Sequence, residues 1–320
     1  MNPQAATLRL ASVVHDEQTT MAIDHNGQLL GVEQLEQLLQ LETSLTRFSD
    51  SATNFTRRVF SLGMAGLSEL IDSLGVMTPP ASVVLEPDTV VFLPPTTKHP
   101  AWAEFHVFAD DPVPRFHWKN SASLRGHDAP IMLASDEPRP RVSAQIAAIV
   151  AEELHRASVT QAARGIAGVT LLTCWDLPTR ERVIPAWGTC YVGQLGPYLV
   201  HQTSYDPRDW TMHLRVNKRT VMSVSGRPWN TGFAEMIALA SEASPLLPGD
   251  IISTGPIAQI SGIDRRSLQP GDVIEVEVEP LGTLRGTIVM SNDQSRFLGQ
   301  LEIHAESSRN QIDTEPPTSR

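Results

Sequence analysis

The sequence predicts an α+β chain rich in strand, a mixed β-sandwich or roll preceded by a small N-terminal domain. Three observations carry that expectation. Short apolar stretches bounded by Gly and Pro turns recur along the chain. Few stretches place their apolar residues at helical intervals. Val273–Val278 reads Val-Ile-Glu-Val-Glu-Val, the period of a strand with one wet face. Together they favour stacked or rolled sheets over the regular alternation of a doubly wound sheet, and no internal repeat suggests a solenoid.

Residues 1–97 are expected to form the small α+β domain. Leu8–Val14 and Thr20–Asp24 are strand-like, and His25-Asn26-Gly27 supplies a turn before Leu29-Leu30. Leu35–Leu45 is helical in spacing through Leu35, Leu38, Leu39 and Leu45. Phe60–Leu74 repeats that spacing through Leu62, Leu67, Leu70 and Ile71, and Met77-Thr78-Pro79-Pro80 stops it. A strand over Thr89–Leu93 leads to Pro94-Pro95, a plausible junction. Residues 98–304 then form the larger β-roll domain. Ser158–Ala167 is expected to be helical, with Ser158 or Thr160 as N-cap. Phe233–Ala243 is a second helix, apolar at Met236, Ile237, Leu239 and Ala240. The polar tail, 305–320, carries Pro316-Pro317 and is expected to be disordered.

Composition excludes several function classes. The chain has 320 residues, a net charge of −11 and 41% hydrophobic content, ample for a sizeable core. The charge is scattered and contains no basic block, so nucleic acid is not an expected partner. No apolar run approaches the roughly 20 residues of a membrane span, and Met1-Asn2-Pro3-Gln4 opens no basic region followed by an apolar core, so no secretion signal is expected. Two cysteines, Cys174 and Cys190, make no disulfide framework and suit a reducing cytoplasm.

Two nearly matching phrases stand out, Leu247-Pro248-Gly249-Asp250-Ile251-Ile252 and Leu268-Gln269-Pro270-Gly271-Asp272-Val273-Ile274. Each Pro-Gly-Asp is read first as a tight turn launching a strand. The order and spacing of the pair also closely resemble the C-terminal domain of fumarylacetoacetate hydrolase-like proteins. Other segments agree in order: Lys119-Asn120-Ser121-Ala122-Ser123-Leu124-Arg125-Gly126, Ile166-Ala167-Gly168-Val169-Thr170, Leu195-Gly196-Pro197-Tyr198, and Leu214-Arg215-Val216-Asn217, where Lys218 replaces the family's Gly. Glu104-Phe105-His106-Val107 is similar to a signature of one sugar-acid branch. The resemblance spans roughly residues 100–290. It implies a mixed β-roll catalytic domain, a homodimer, and hydrolase or lyase chemistry on a small β-dicarbonyl or enolisable keto compound.

The resemblance also implies Mg²⁺ or Mn²⁺, held by a Glu-x-Glu pair and a later Asp, polarising a carbonyl and stabilising an enolate. Laid on that pattern, the Glu-x-Glu falls on Ser143-Ala144-Gln145, so both carboxylates are replaced by neutral groups. The third ligand falls on Asp176, which also matches Arg180, or on Cys174 in a gapless alignment. The family's Lys falls on Thr189 or Cys190, and a family Thr falls on Pro256, beside Thr254. A divalent cofactor is therefore doubtful here, and none is expected.

Proton chemistry is then assigned to His106, Glu104, Asp176 and Arg180. An imidazole near neutrality suits moving a proton to or from an enol. Lys119, Gln145, Thr189, Tyr191 and Thr254 are expected to contact substrate. Trp175, Trp187 and Tyr191 are expected to give the pocket an aromatic lining. His117, His127 and His201 lack ligand spacing, so no zinc site is expected. Decarboxylation, dehydration or isomerisation of an enol demands less Lewis-acid help than C–C hydrolysis. The alternative is a non-catalytic descendant that binds ligand or acts as a scaffold.

Overall fold

In the computed structural model, the described residues are 8–39, 78–96, 100–107, 115–133, 141–176, 192–200, 210–225, 231–261 and 268–290. The chain begins with β1 (Arg9–His15), β2 (Gln18–His25), β3 (Gln28–Gly31) and helix α1 (Val32–Leu39). Short strands follow: β4 (Val84–Leu85), β5 (Val91–Leu93), β6 (Trp102–Phe105), β7 (Phe116–Lys119), β8 (Leu124–Arg125) and β9 (Ile131–Leu133). Two long central strands, β10 (Arg141–Val150) and β11 (Ile166–Asp176), flank helix α2 (Val159–Arg164). Then come β12 (Val192–Val200), β13 (Thr211–Val216), β14 (Arg219–Ser225) and helix α3 (Phe233–Ala243). Four strands close the described chain: β15 (Ile251–Ser253), β16 (Ala258–Ser261), β17 (Val273–Val278) and β18 (Gly282–Met290). The β-rich α+β expectation is met by two mixed sheets.

The larger sheet runs β4-β3-β2-β1-β12-β11-β10-β15-β6-β7, with β16 on β10, β5 on β1 and β8 on β12. The smaller runs β14-β13-β17-β18-β9. One face of β10, carrying Val142, Ala144, Ile146, Ala148 and Val150, packs with β13, β17, β18 and α3 in one core cluster. Its other face, through Ala147 and Ile149, packs with Leu10, Ile23, Leu30, Trp102 and Leu195 in a second. Being covered on both faces, β10 loses the apolar–polar alternation that marks Val273–Val278.

Turn chemistry explains the hairpins. Asn26 and Gly27 both have positive φ (54° and 83°), the geometry of a two-residue type I′ turn. The Asp24 carboxylate accepts from Gly27 N at 3.0 Å. The two Pro-Gly-Asp phrases form the same device twice. Gly249 and Gly271 take φ of 99° and 86°. Asp250 accepts from Leu247 N at 2.7 Å and from Ala101 N at 2.7 Å. Asp272 accepts from Gln269 N at 2.8 Å and from Asn217 Nδ2 at 2.7 Å. Each Asp thus closes its own turn and staples it to a distant segment.

The helix expected over Ser158–Ala167 is shorter. Ser158 caps it in a capping box with Gln161, and it ends at Gly165, after which Ile166 already belongs to β11. The backbone there is claimed by the sheet, as the Ala151 N to Gly165 O bond of 2.8 Å shows. The first helix starts at Val32, earlier than its apolar spacing suggested. The helix expected at Phe60–Leu74 and the 305–320 tail lie outside the described residues.

Candidate functional site

Period-2 geometry gathers the site on one face of the larger sheet. Arg141, Ser143 and Gln145 project from the same side of β10. Across the antiparallel register, Arg141 pairs with Asp176 and Ser143 with Cys174. On the far side, Ser253 sits opposite Ala147 and beside Glu104. Glu104 pairs with His117 and Trp102 with Lys119 across β6 and β7. A polar row therefore crosses five neighbouring strands of the sheet, β11, β10, β15, β6 and β7.

Glu104 is the hub. It is 4% exposed. One carboxylate oxygen lies 3.2 Å from Lys119 Nζ and 3.3 Å from His117 Nε2. The other accepts from Gln145 Nε2 at 2.7 Å. Burial alone would raise its pKa, but the His117 hydrogen bond, the Lys119 charge and the Gln145 amide outweigh burial and hold it below the ordinary value. His117 reaches His106 through Nδ1, 3.2 Å from His106 Nε2, with the rings tilted at 35°. Burial first, then the His117 charge, pushes the His106 pKa down. Glu104, His117 and His106 form a carboxylate–imidazole–imidazole chain.

The second arm runs through sulfur. Lys119 Nζ lies 3.7 Å from Cys174 Sγ, and that thiol lies 3.7 Å from Asp176 Oδ1. Asp176 also meets Arg141 Nε at 3.6 Å. Burial pushes the Asp176 pKa up to about 6, against the opposing pull of Lys119 and Arg141. Lys119 sits 5.9 Å from the centre of the Trp102 ring, and Trp102 donates from its indole to Ser253 Oγ at 2.9 Å.

Of the residues expected from sequence, Glu104, His106, Lys119, Ser143, Gln145 and Asp176 come together. Arg180, Thr189 and Tyr191, with Trp187 and Cys190, lie outside the described residues. Thr254 is fully buried; its hydroxyl accepts from Ile146 N at 3.3 Å and donates to Gly255 O at 2.8 Å. Trp175 does not line the site as expected. It is buried in the core cluster on the opposite face, because its odd position on β11 points away from Cys174 and Asp176. His117 and Arg141 were missed. For His117 a signal existed: it stands two residues before Lys119, so any strand there puts both side chains on one face.

A divalent ion does not fit at the positions the family pattern implies. Ser143 Oγ donates to Cys174 O at 3.4 Å and accepts from Gln145 Nε2 at 3.2 Å. Gln145 turns its NH₂ group toward the acidic oxygens; a flipped amide would set its carbonyl against the Glu104 carboxylate. A donating amide and a neutral hydroxyl thus stand where the pattern needs two carboxylates, and Gln145 Oε1 is a buried neutral acceptor with no hydrogen-bond partner among the described residues. A different set, Glu104, His106 and His117, brings three ligand atoms within 4.8 Å of one another. Their chemistry suits a transition ion better than Mg²⁺.

Residues 96–289 match the family described as fumarylacetoacetate (FAA) hydrolase C-terminal. Over 183 residues the chain is 27% identical to 2,4-didehydro-3-deoxy-L-rhamnonate hydrolase of Sphingomonas sp. (strain SKA58), covering 54% of this chain and 64% of that one. Over 193 residues it is 26% identical to oxaloacetate tautomerase YisK of Bacillus subtilis (strain 168), covering 55% and 61%. The chain thus spans less than two thirds of each of these enzymes. Maleylpyruvate hydrolase from Sphingobium sp. SYK-6, solved with manganese(II) and pyruvate, shares the fold with a TM-score of 0.66 at 19% identity. That likeness covers 88% of this chain and 99% of that one. Among the described residues, no helix is long and apolar enough to cross a membrane.

Proposed function

Since the chain belongs to the fumarylacetoacetate (FAA) hydrolase C-terminal family, we propose that it is an enzyme moving protons on small enolisable keto acids, by tautomerisation or isomerisation, with little dependence on a metal. The observation that carries this reading is the Glu104–His117–His106 chain, buried at Glu104 and half-buried at both histidines, beside the Lys119 ammonium. Oxaloacetate tautomerase and maleylpyruvate hydrolase, two proteins it resembles, supply the substrate class by their names.

The tautomers follow from the partners. The Glu104 carboxylate lies 3.3 Å from His117 Nε2, which favours the proton on that nitrogen. Nδ1 of His117 then carries the lone pair and accepts from Nε2–H of His106. Nδ1 of His106 then serves as the base. It takes a proton from the carbon next to the substrate carbonyl; the C–H electron pair becomes the C=C bond, and the carbonyl oxygen becomes the enolate oxygen. The excess proton passes from His106 Nε2 to His117 Nδ1, where the Glu104 carboxylate balances the imidazolium. Returning it to the enolate oxygen, or to another carbon, completes tautomerisation or isomerisation.

The test is proton exchange. EDTA-treated protein is expected to accelerate enol–keto interconversion of oxaloacetate, and deuterium uptake at its methylene carbon, with His106→Ala slower by about 10²–10⁴-fold. Hydrolysis of maleylpyruvate without such exchange would replace the tautomerase reading by hydrolytic cleavage. No reaction with either would favour a keto-acid-binding protein without catalysis, a reading supported by the neutral Ser143 and Gln145.

A further inference from the structure

Among the described residues, the charged side chains on the site face balance without any ion. Glu104 and Asp176 supply two negative charges, and Lys119 and Arg141 supply two positive ones. With Glu at 143 and 145 the same face would carry a surplus of two negative charges, which a divalent cation would neutralise. With Ser143 and Gln145 that surplus is gone, and adding a divalent ion would leave a buried site with uncompensated positive charge.

The position of Lys119 completes the argument. Its ammonium is buried at the meeting point of both arms, against the Glu104 carboxylate and against Cys174, the cross-strand partner of Ser143. Glu104 in turn holds the amide of Gln145. The cation therefore lies among the very positions where the family pattern would place its ligands, and it is covalently tethered to β7. An ammonium carries three donors and a compact charge. It stabilises a developing enolate oxygen as a fixed dipole or ion does, without needing to be recruited.

We propose that the Lys119 ammonium takes the place of the divalent ion in this site and receives the anionic oxygen of a 2-keto acid or its enolate. This rests on the keto-acid reading above, yet it is tested by binding alone. The probe is oxalate, a planar dianion shaped like the enolate of pyruvate, titrated calorimetrically into EDTA-treated full-length protein, then repeated with Mn²⁺. Oxalate is expected to bind without metal, with Mn²⁺ changing affinity less than twofold and Lys119→Met weakening it by tenfold or more. Lys119→Arg is expected to recover part of the loss. Binding that requires Mn²⁺, no binding at all, or binding indifferent to Lys119→Met overturns the proposal. Mn²⁺-dependent binding abolished by His117→Ala would place an ion on Glu104, His106 and His117 instead. If Lys119→Met fails to fold, the comparison with and without Mn²⁺ on the native protein still decides. Metal-free oxalate binding through Lys119 in a protein that turns over no keto acid would defeat the catalytic reading and leave this one standing.

Discussion

Asp176 and His106 are displaced in titration by the same cause, burial, and the displacements have opposite consequences. A carboxyl raised from 3.8 to about 6 favours the folded state fully below the ordinary carboxylate value, and that contribution is lost as pH rises through about 6. At neutral pH the ionised Asp176 is thus a net burden, on the order of 3 kcal/mol at most. Asp176→Asn is expected to remove the pH dependence of stability between about 4 and 6, read as melting temperature against pH. A variant that parallels the native protein through this range would show that Asp176 is not the titrating group. His106, held below its ordinary 6.5, stays neutral to lower pH, so kcat/KM for tautomerisation is expected to reach its plateau below that value. His117→Asn is expected to lower kcat while shifting this profile, because its loss removes both the relay nitrogen and the nearby charge. An unshifted profile would reduce His117 to packing.

At the scale of elements, two backbone positions set local stability. Lys218 follows Asn217 in the β13–β14 turn, and both have positive φ (65° and 50°). A glycine would adopt that conformation without the Cβ penalty, so Lys218→Gly is expected to stabilise by about 1 kcal/mol in denaturant melts. Gly255, at φ 73°, brings the end of β15 against the end of β6. A Cβ there would run into the Phe105 carbonyl oxygen, next to His106. Gly255→Ala is expected to destabilise the protein and to lower activity beyond what the stability loss explains, as seen by assaying well below the melting temperature. The same elements show what the sequence disclosed. Turns were legible because Asn-Gly and Pro-Gly-Asp force particular φ values. Val273–Val278 was legible because one face is wet. β10 was not, because burial on both faces erases its alternation. Lys119, Glu104 and His106 were found through resemblance. His117 was missed because its partner in the chain is reached across a strand pair rather than along the sequence, and Arg141 because its partner Asp176 lies across the sheet.

At the scale of the molecule, the first three strands are continuous with the sheet that holds the site. β1 pairs with β12, and Leu10, Ile23 and Leu30 share a cluster with Trp102, Cys174 and Leu195. Removing residues 1–31 would uncover the edge of β12 and the apolar cluster that includes Cys174. The shortened chain is expected to aggregate or melt far lower, judged by size exclusion and circular dichroism; a folded, active remainder would show that the site strands stand alone. The pairing of Arg9 with Val200 also has a consequence in time. Chains leave the ribosome N-terminus first at roughly 5–20 residues per second, so β1 emerges on the order of 10–40 s before its partner does. During that interval β1 and β2 are a nascent hairpin with an apolar face and an unpaired edge. Productive synthesis of this protein is therefore expected to lean on a holding chaperone that guards the first segment until β12 arrives.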